Sequence, residues 1–517
     1  AILGKVFKFE ELSVTAEQNE DLLLDALDEA ANAQLIAAGS GDSFSFTHDK
    51  IREVLYEELN PIRRRRLHRH VAEGLERNRG VCCAVEKLAH HYIQAGDHQR
   101  GLEYAKQAAA EAEKVFAFEE AIAAYGRAHD CAEALGLTEE QLAQEEAIGK
   151  AFMMHGDTVP AAEHFEKALA LATDPETRVR LQCLVAASLV TTGDPRGQEF
   201  LREALEVLDP VTNPLETANA ITTEARFHHL AGRHKKAVEL LIRAGELVAP
   251  TAVAESVSNF AAPMITQIHA YTTAAYQHLG LFIEADQWAQ RTIDFGKKHN
   301  ILFAQAIGYE YLGENSVHQG NYEFGLECAE REIEIAKRLH SRERRAWTHY
   351  YAAQCRLFLN QLDLAEREFL DGITLAELIG ENRAASLLKT SLAVVQAMQG
   401  NHDEALQNAT TNLQLSSPNL MYSHFEGLRC LAEVRFHRNE FEEAERVCQQ
   451  AEEFTAPTDS RVCPLWLVPL HIDVLLALNK RDEAARKLVD YQALVAECQT
   501  PRFTSEASRL ASILAES

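Results

Sequence analysis

The stretch GENSVHQGNYEFG, residues 313–325, contains the pattern that decides the fold of most of the chain. Gly320 marks a turn, because glycine readily takes the left-handed conformation that ends a helix. A second glycine, Gly313, stands seven positions before the turn, and a third, Gly325, stands five positions after it. We expect these two to lie where the helix before the turn crosses the helix after it, since only short side chains let two helix backbones approach closely.

The same three positions recur along the chain, except that no small residue follows Gly193 by five positions and that Thr273 and Ile472 stand seven positions before their turns. The turn residue is glycine or asparagine, and it falls at Gly96, Gly156, Gly193, Gly232, Gly280, Gly320, Asn360, Gly400, Asn439 and Asn479. From Gly156 onward the interval between turns is 37 to 48 residues, most often 40. Unrelated helical hairpins would not keep small residues at constant offsets. Self-similarity at a fixed period of this length therefore indicates an all-α solenoid, in which each helix pair packs on its neighbours.

This arrangement resembles the tetratricopeptide repeat, whose small residues fall at the same relative places. Gly320-Asn321-Tyr322 and Gly400-Asn401-His402 are similar to the turn of that repeat. The period is longer than the 34 residues of that family, and the longer arrays resemble the sensor superhelix of maltotriose-responsive transcription activators. The resemblance implies a right-handed superhelical repeat domain over residues 80–517, with about ten helix pairs and helices of about 14–17 residues. An additional turn is expected near residues 116–121.

Composition agrees with a repeat protein that works away from nucleic acid and membranes. The chain has 517 residues, more than one core usually sustains, and a formal charge of −27 that repels nucleic acid. No apolar run is long enough to span a membrane. The ten cysteines, including Cys82 and Cys83, form no C-x-x-C pair, which suits a reducing cytosol. We therefore expect a cytoplasmic protein.

The first 79 residues break the pattern and are expected to form a separate domain. A helix capped by Asn19 is predicted near residues 20–32, and a β-hairpin near residues 34–46 with its turn at residues 39–42. Two more helices follow, one from Asp49 to about Leu59 and one opened by Pro61. Helices around a small hairpin predict a winged-helix domain.

This domain resembles a known family. Residues 44–56, FSFTHDKIREVLY, and residues 63–76, RRRRLHRHVAEGLE, are similar to the winged-helix stretch of STAND-type signal-transducing ATPases. That class includes large bacterial activators and the NLR immune receptors. In that architecture the winged helix follows an ATPase module and precedes the repeat array, and the array senses the signal.

The resemblance assigns a role to one histidine. Thr47-His48-Asp49 occupies the place of the Met-His-Asp motif of NLR receptors, in which the histidine contacts the β-phosphate of ADP. It implies that His48 binds the ADP phosphate once the nucleotide domain is present. The alternative is that His48 only begins a helix, with Thr47 or Asp49 as the capping side chain.

The chain has no G-x-x-x-x-G-K-[ST] phosphate loop, so we expect no cofactor in this chain and ADP or ATP in a longer parent protein. Its opening, Ala1-Ile2-Leu3-Gly4, resembles the interior of such ATPases, and a fragment is expected. No H-E-x-x-H or G-x-S-x-G motif occurs, and the histidine clusters lie at His68/His70, His90-His91 and His228-His229. Arginines beside His68 and His70 disfavour a cation there. We expect neither an enzyme nor a metal site.

One basic run raises the possibility of DNA binding. It comprises Arg63–Arg66, Arg69, Arg77 and Arg79. A winged helix can use such residues on phosphates, whereas the alternative is a patch that pairs with acidic repeats. The presumed reading helix, residues 20–32, carries five acidic residues and no basic one, which argues against DNA.

Three functions therefore stay open. The first is the sensor arm of a STAND-type switch, which binds a protein or a small inducer and releases autoinhibition in a signalling or transcription-regulating parent. The second is a free-standing scaffold for protein–protein interaction. The third is a DNA-binding winged-helix regulator.

The partner is expected on the concave face, centred on the units that turn at Gly232 through Asn360. In tetratricopeptide arrays the helix before the turn lines this face, with exposed positions 13, 10, 6, 3 and 2 residues before the turn. These offsets select Arg226, His229, His278, Glu310, Glu314, His318, Trp347, Tyr350 and Gln354. Aromatic and charged groups suit a recognition surface. The alternative is that Trp347 and Tyr350 only pack between adjacent units.

Overall fold

The computed structural model describes residues 1–16, 19–78, 85–115, 117–252 and 261–515. It divides into two compact units, Ala1–Ser188 and Leu189–Ser517. Arg79, Cys82, Cys83 and Phe116, which the sequence analysis used, lie outside the described residues. No helix in the described ranges is both long and apolar enough to cross a membrane.

The first unit begins with a small sheet and four helices. The strands are β1 (Val6–Lys8), β2 (Ile36–Ala38) and β3 (Ser43–Phe46), in the antiparallel order β1-β3-β2. The helices are α1 (Phe9–Thr15), α2 (Glu20–Asn32), α3 (Asp49–Glu57) and α4 (Pro61–Arg77).

The predicted hairpin is confirmed, since Ile36 pairs with Phe46 and Ala38 with Phe44. Phe46 and Ile36 are buried with Phe7 and Leu27, so a shared apolar cluster holds the sheet against α2. Strand β1, which contributes Phe7, was not predicted, because three residues are too few for a visible alternation.

Two predicted helix starts are also confirmed. The Asn19 side chain accepts a hydrogen bond from the backbone N–H of Asp21, and the Asn60 side chain accepts one from Arg63. Pro61 stands in the first turn of α4, where its missing N–H costs nothing.

The remaining helices follow one another along the chain. They are α5 (Val85–Gln94), α6 (His98–Lys114), α7 (Phe118–Leu135), α8 (Thr138–His155), α9 (Thr158–Leu171), α10 (Pro175–Leu189), α11 (Arg196–Val207), α12 (Pro214–Leu230), α13 (His234–Ala252), α14 (Ala261–His278), α15 (Phe282–Lys298), α16 (Leu302–Gln319), α17 (Tyr322–Arg338), α18 (Arg342–Phe358), α19 (Leu362–Leu378), α20 (Asn382–Met398), α21 (His402–Leu415), α22 (Met421–His437), α23 (Phe441–Thr455), α24 (Val462–Ala477), α25 (Arg481–Cys498) and α26 (Pro501–Ala515). A 3-10 turn, Val190–Thr192, extends α10.

All ten predicted turn residues separate two helices and have a positive φ, from 57° at Asn360 to 104° at Gly156. The ten predicted helix pairs are thus present, and the structure is a tetratricopeptide-like α-solenoid. One interval differs from the expectation of an additional turn near residues 116–121. It holds an entire 18-residue helix, α7, which ends at Gly136 with a φ of 69°.

The small residues around each turn are buried where two helices cross. A methyl group added at Gly313 would overlap the ring of Tyr351, and one added at Gly325 would overlap Ser316 and Cys355. The alanines five positions after the turns, such as Ala365 and Ala405, have no exposed surface. Small residues therefore allow close approach both within a pair, as between Gly325 and Ser316, and between neighbouring pairs, as between Gly313 and Tyr351.

In the second unit, alternate helices form an inner series, made of the helices that precede the turns and of the last helix, α26. These inner helices are α12, α14, α16, α18, α20, α22, α24 and α26, and each packs against the next one in the series. Contacts also join α14 to α24 and α16 to α26, which belong to helix pairs five units apart. The array of the second unit therefore curves until distant pairs meet.

Turns of helix pairs near the start of the second unit contact loops of pairs near its end. We call this line of contacts the seam. The Gly232 carbonyl accepts a hydrogen bond from the Asp459 N–H at 3.0 Å, and the His278 carbonyl accepts one from the Arg461 N–H at 2.7 Å. The His318 carbonyl accepts one from the Thr500 hydroxyl at 2.9 Å. These bonds hold the inner helices around a common space.

Candidate functional site

A cavity of about 820 Å³ lies among the inner helices α16, α18, α20, α22, α24 and α26. We call it the inner basin. Its aromatic lining consists of Tyr322, Phe358, Tyr422, Phe436, Trp466 and Phe503. Its charged lining consists of Glu426, Arg429, Glu433, Asp473, Arg502, Glu506 and Arg509. Aromatic faces with a few placed charges are the usual composition of a ligand site.

Two of the lining arginines are neutralised by carboxylates. Arg429 contacts Glu426 at 2.9 Å and Glu433 at 2.7 Å, all three on α22 at helical spacing. Arg509 of α26 contacts Glu506 at 2.6 Å and Asp473 of α24 at 2.6 Å. Burial raises the pKa of Asp473 above its usual value, although the hydrogen bond from Arg509 opposes that change.

Arg502 has a different environment. Its guanidinium carbon lies 3.8 Å from the ring centre of Phe358 and 4.1 Å from that of Trp466, and Nη1 donates a hydrogen bond to the Tyr322 hydroxyl. The Trp466 indole N–H donates to Nδ1 of His318 at 2.9 Å, which fixes the ring that Arg502 faces. Side chains from four helices thus hold this guanidinium at the wall of the inner basin.

The residues predicted for the concave face separate into groups. His229 and His278 contact each other with ring centres 5.3 Å apart, and His278 also contacts His234 and, on α22, Tyr422. Burial lowers the pKa of His278 to about 3 and lowers that of His229 well below its usual value. Arg226 lies over the ring of Tyr271 at 5.2 Å.

The two predicted carboxylates, Glu310 and Glu314, do not line the inner basin. Glu310 is paired with the buried Arg344, and burial raises the pKa of Glu310. Burial, with the charges of Glu310 and Glu426, raises the pKa of Glu314 to about 7. His318 is buried behind Trp466, so it supports the basin wall from outside.

Trp347 and Tyr350 belong to the cluster of apolar side chains that joins α18 to α19 and α20. Trp347 also faces Arg383, at 5.2 Å from the ring centre. Tyr350 is 4% exposed, and its hydroxyl has no hydrogen-bond partner among the described residues. Of the nine predicted residues, Gln354 lines the inner basin and the other eight do not.

The offsets used for the prediction do mark the basin, in the Asn360 unit through Gln354, Leu357 and Phe358 and more fully in later units. Counted back from Asn439, they select Glu426, Arg429, Glu433, Phe436 and His437, and all five line the basin. Counted back from Asn479, the first three offsets select Trp466, Pro469 and Asp473, which line it as well, whereas the last two select residues that do not. The same signal could therefore have found these residues, whereas Arg502 precedes no turn and has no sequence signal.

His48 is the residue directly before α3 and is exposed, and its side chain makes no capping hydrogen bond. Neither neighbour caps the helix in its place. The Thr47 hydroxyl donates to the Gln34 carbonyl at 2.6 Å, and Asp49 pairs with Lys5 at 3.1 Å. In the basic run, Arg64 lies over the ring of Tyr56 at 4.3 Å, while Arg63, Arg65, Arg66 and Arg69 are exposed.

Three histidines from α4 and α5 come together in the first unit, which the sequence analysis missed because they lie on two helices. Nδ1 of His68 is 2.9 Å from Nδ1 of His91, and His90 offers a third nitrogen within 4.8 Å. The group could hold a metal ion by geometry. Burial lowers the pKa of His68 to about 4 and that of His91 to about 3, so the rings are neutral. His129, Asp130 and Glu133 form a second, more exposed group.

No family model and no curated protein matches the chain. Among solved structures, it resembles the Cut9–Hcn1 hetero-tetramer of APC/C, at 12% identity over 90% of this chain and 96% of that chain, with a TM-score of 0.44. It also resembles a STAND protein with a tetratricopeptide repeat sensor from Pyrococcus horikoshii, at 14% identity over 86% of this chain and 63% of that chain, with a TM-score of 0.41. A third match is NprR with its peptide NprX, at 15% identity over 69% and 99%, with a TM-score of 0.48. At these values the likeness concerns the fold alone, and the assignment of the fold rests on the helix pairs themselves.

Proposed function

We propose that this chain is the sensing arm of a STAND-type ATPase switch, and that its effector binds in the inner basin. The inner basin is the observation that carries the proposal. Its volume of about 820 Å³ lies in the range of small-molecule sites, and its wall combines aromatic rings with placed charges.

The position of the basin supports a sensing role. An effector there touches inner helices from α16 to α26, which belong to pairs far apart in the chain. A ligand that prefers one curvature of the array shifts the population toward it by its difference in affinity. The curvature of the array is thus the property that an effector in the basin would change.

The rest of the proposal concerns the parent protein. The ATPase module, with its ADP or ATP, lies in that parent, and the arm itself has no catalytic role. We propose a winged helix over residues 1–79, a repeat domain over residues 80–517, a contact of His48 with the ADP phosphate, and a cytoplasmic location.

Tryptophan fluorescence tests the basin. The chain has three tryptophans, and replacing Trp288 and Trp347 by phenylalanine leaves Trp466 in the basin wall as the sole reporter. We expect a low-molecular-weight fraction from the cells that make the protein to change this emission. Ser505→Tyr narrows the basin from an exposed position and should abolish the change. Ser508→Tyr, on the same helix but outside the basin, should preserve it. No response from any fraction would refute the basin as an effector site.

The full reading frame of the gene tests whether this chain is part of a STAND-type switch. We expect it to encode a phosphate loop upstream of Ala1, because a STAND module needs one to hold the nucleotide. A reading frame without that loop would favour the free-standing scaffold.

A further inference from the structure

The arginines of the inner basin differ in what neutralises them. Arg429 and Arg509 each contact two carboxylates, at 2.6 to 2.9 Å. No carboxylate of the described residues forms an ion pair with Arg502. The lining therefore carries one guanidinium whose charge has no direct counter-ion within the described protein.

Keeping that charge in this place is unfavourable unless something pairs with it. A guanidinium removed from water loses hydration that neutral rings return only in part. Burial accordingly lowers the pKa of Arg502 below its usual value, even though Tyr322 and Glu506 act in the opposite direction. An anion supplied from outside would remove this cost.

The guanidinium is also held ready for such an anion. Phe358 and Trp466 lie at 3.8 and 4.1 Å from its central carbon, and the Tyr322 hydroxyl takes a hydrogen bond from Nη1. Arginine has five N–H donors in a planar fork, so several remain for a ligand. The fork matches the paired oxygens of a carboxylate or a phosphate.

The position of Arg502 in the fold adds to this preference. It stands in the first turn of α26, where the helix dipole favours negative charge. The lining has four carboxylates and three arginines, but each carboxylate already contacts Arg429 or Arg509, whereas Arg502 has no carboxylate contact among the described residues. The chain as a whole carries −27, so an anion is captured by this local contact and is not steered over long range.

We propose that the effector is a small organic anion, whose carboxylate or phosphate pairs with Arg502 while an apolar body lies against the aromatic lining. This inference rests on the proposed role of the inner basin. It names the chemistry of the ligand and the residue that recognises its charge.

Three probes of similar shape test the charge requirement: 3-phenylpropionate, phenyl phosphate and the neutral 3-phenylpropanamide. Binding is followed by ligand-observed NMR and by Trp466 emission in the variant without the other two tryptophans. We expect the anions to bind about tenfold or more tightly than the amide, because a charge-assisted hydrogen-bonded pair contributes at least that factor. The stronger of the two anions identifies carboxylate or phosphate as the recognised group.

Variants then test the residue. Arg502→Met keeps much of the apolar stem and should weaken both anions about tenfold while leaving the amide unchanged. Arg502→Lys keeps the charge but loses the fork, and an intermediate affinity is expected. Arg486→Gln removes an exposed arginine from α25 and should change nothing. Thermal unfolding of each variant checks that the array is still folded.

The outcomes separate this inference from the proposed function. Equal binding of amide and anions, or anion binding that survives Arg502→Met, overturns the anion inference and leaves the basin as an effector site. If no probe binds and no cell fraction alters Trp466 emission, both are refuted.

Discussion

The backbone N–H of Arg461 donates a hydrogen bond to the carbonyl oxygen of His278, with 2.7 Å between the two atoms. This bond joins α24 to the end of α14, five helix pairs earlier in the chain. It is one of several seam contacts that close the array around the inner basin. The seam is therefore the structural feature that decides where the basin lies.

Asp459 is the side chain that links the seam to a helix start. Its carboxylate accepts hydrogen bonds from the N–H groups of His234 and Lys235, at 2.7 and 2.8 Å, and so caps α13 from a distant loop. We expect Asp459→Ala to cost about 1–2 kcal/mol of local stability, as the loss of a helix cap does. Faster hydrogen exchange at the first amides of α13 is the measurement. Asp490→Ala, at an exposed position of α25, is the control, and equal exchange in both variants would contradict the capping role.

Three buried histidines beside the seam predict that the free energy of unfolding depends on pH. Burial lowers the pKa of His278 to about 3 from the usual 6.5, and lowers the pKa of His229 and His234 well below 6.5. Below pH 6.5 the unfolded chain binds protons that the folded chain does not. The stability contributed by these three histidines is therefore complete above pH 6.5 and declines as the pH falls toward 3, by up to about 1.4 kcal/mol per pH unit for each histidine. Glu314, whose pKa is raised to about 7, acts in the opposite direction.

Urea unfolding of the second unit at pH 7.5, 6.0 and 5.0 measures how steeply the free energy of unfolding changes with pH. His278→Gln should reduce this pH dependence by the equivalent of about one bound proton. His340→Gln, at an exposed loop position, should leave the pH dependence unchanged. A slope that is identical in the wild type and His278→Gln would show that His278 titrates normally.

The repeat pattern predicts opposite effects for two glycine substitutions. Gly313→Ala places a methyl group into the ring of Tyr351, and we expect a loss of about 1–3 kcal/mol, as is typical of overpacking. Gly126→Ala, inside α7, meets no described atom within 4 Å and should gain up to about 1 kcal/mol from helix propensity. Thermal unfolding of both variants is the measurement. Destabilisation of equal size would mean that crowding at the helix crossing is not the cause.

We expect the substitution of His48 to have different effects in this chain and in its parent protein. The side chain is exposed and makes no capping bond, so His48→Ala should change the unfolding midpoint of this chain within error. In the parent, the same substitution should weaken retention of ADP and raise basal signalling, because it removes a hydrogen bond to the phosphate. Nucleotide content after purification measures this effect. Unchanged ADP content would remove the proposed role of His48.

The sequence was sufficient wherever the cause is local. Gly320 and Asn439 take left-handed conformations because the turn needs them. The β2–β3 hairpin follows from its turn and alternation in the same way. Gly313 is small because Tyr351 of the next pair lies against it, and the repeat made this non-local contact visible as a constant offset. Helix α7 was not predicted because neither of its ends carries the repeat spacing.

The sequence by itself determined the helix pairs, their turns and the residues that face inward in each unit. Tertiary structure alone decided which inward-facing residues share a cavity, since the same offsets select Tyr350 in a packed cluster and Arg429 in the basin. The physical reason is that the rotation from one pair to the next is small and accumulates. Five such steps bring Arg461 to His278 and four bring Trp466 to His318, and no local pattern encodes their sum.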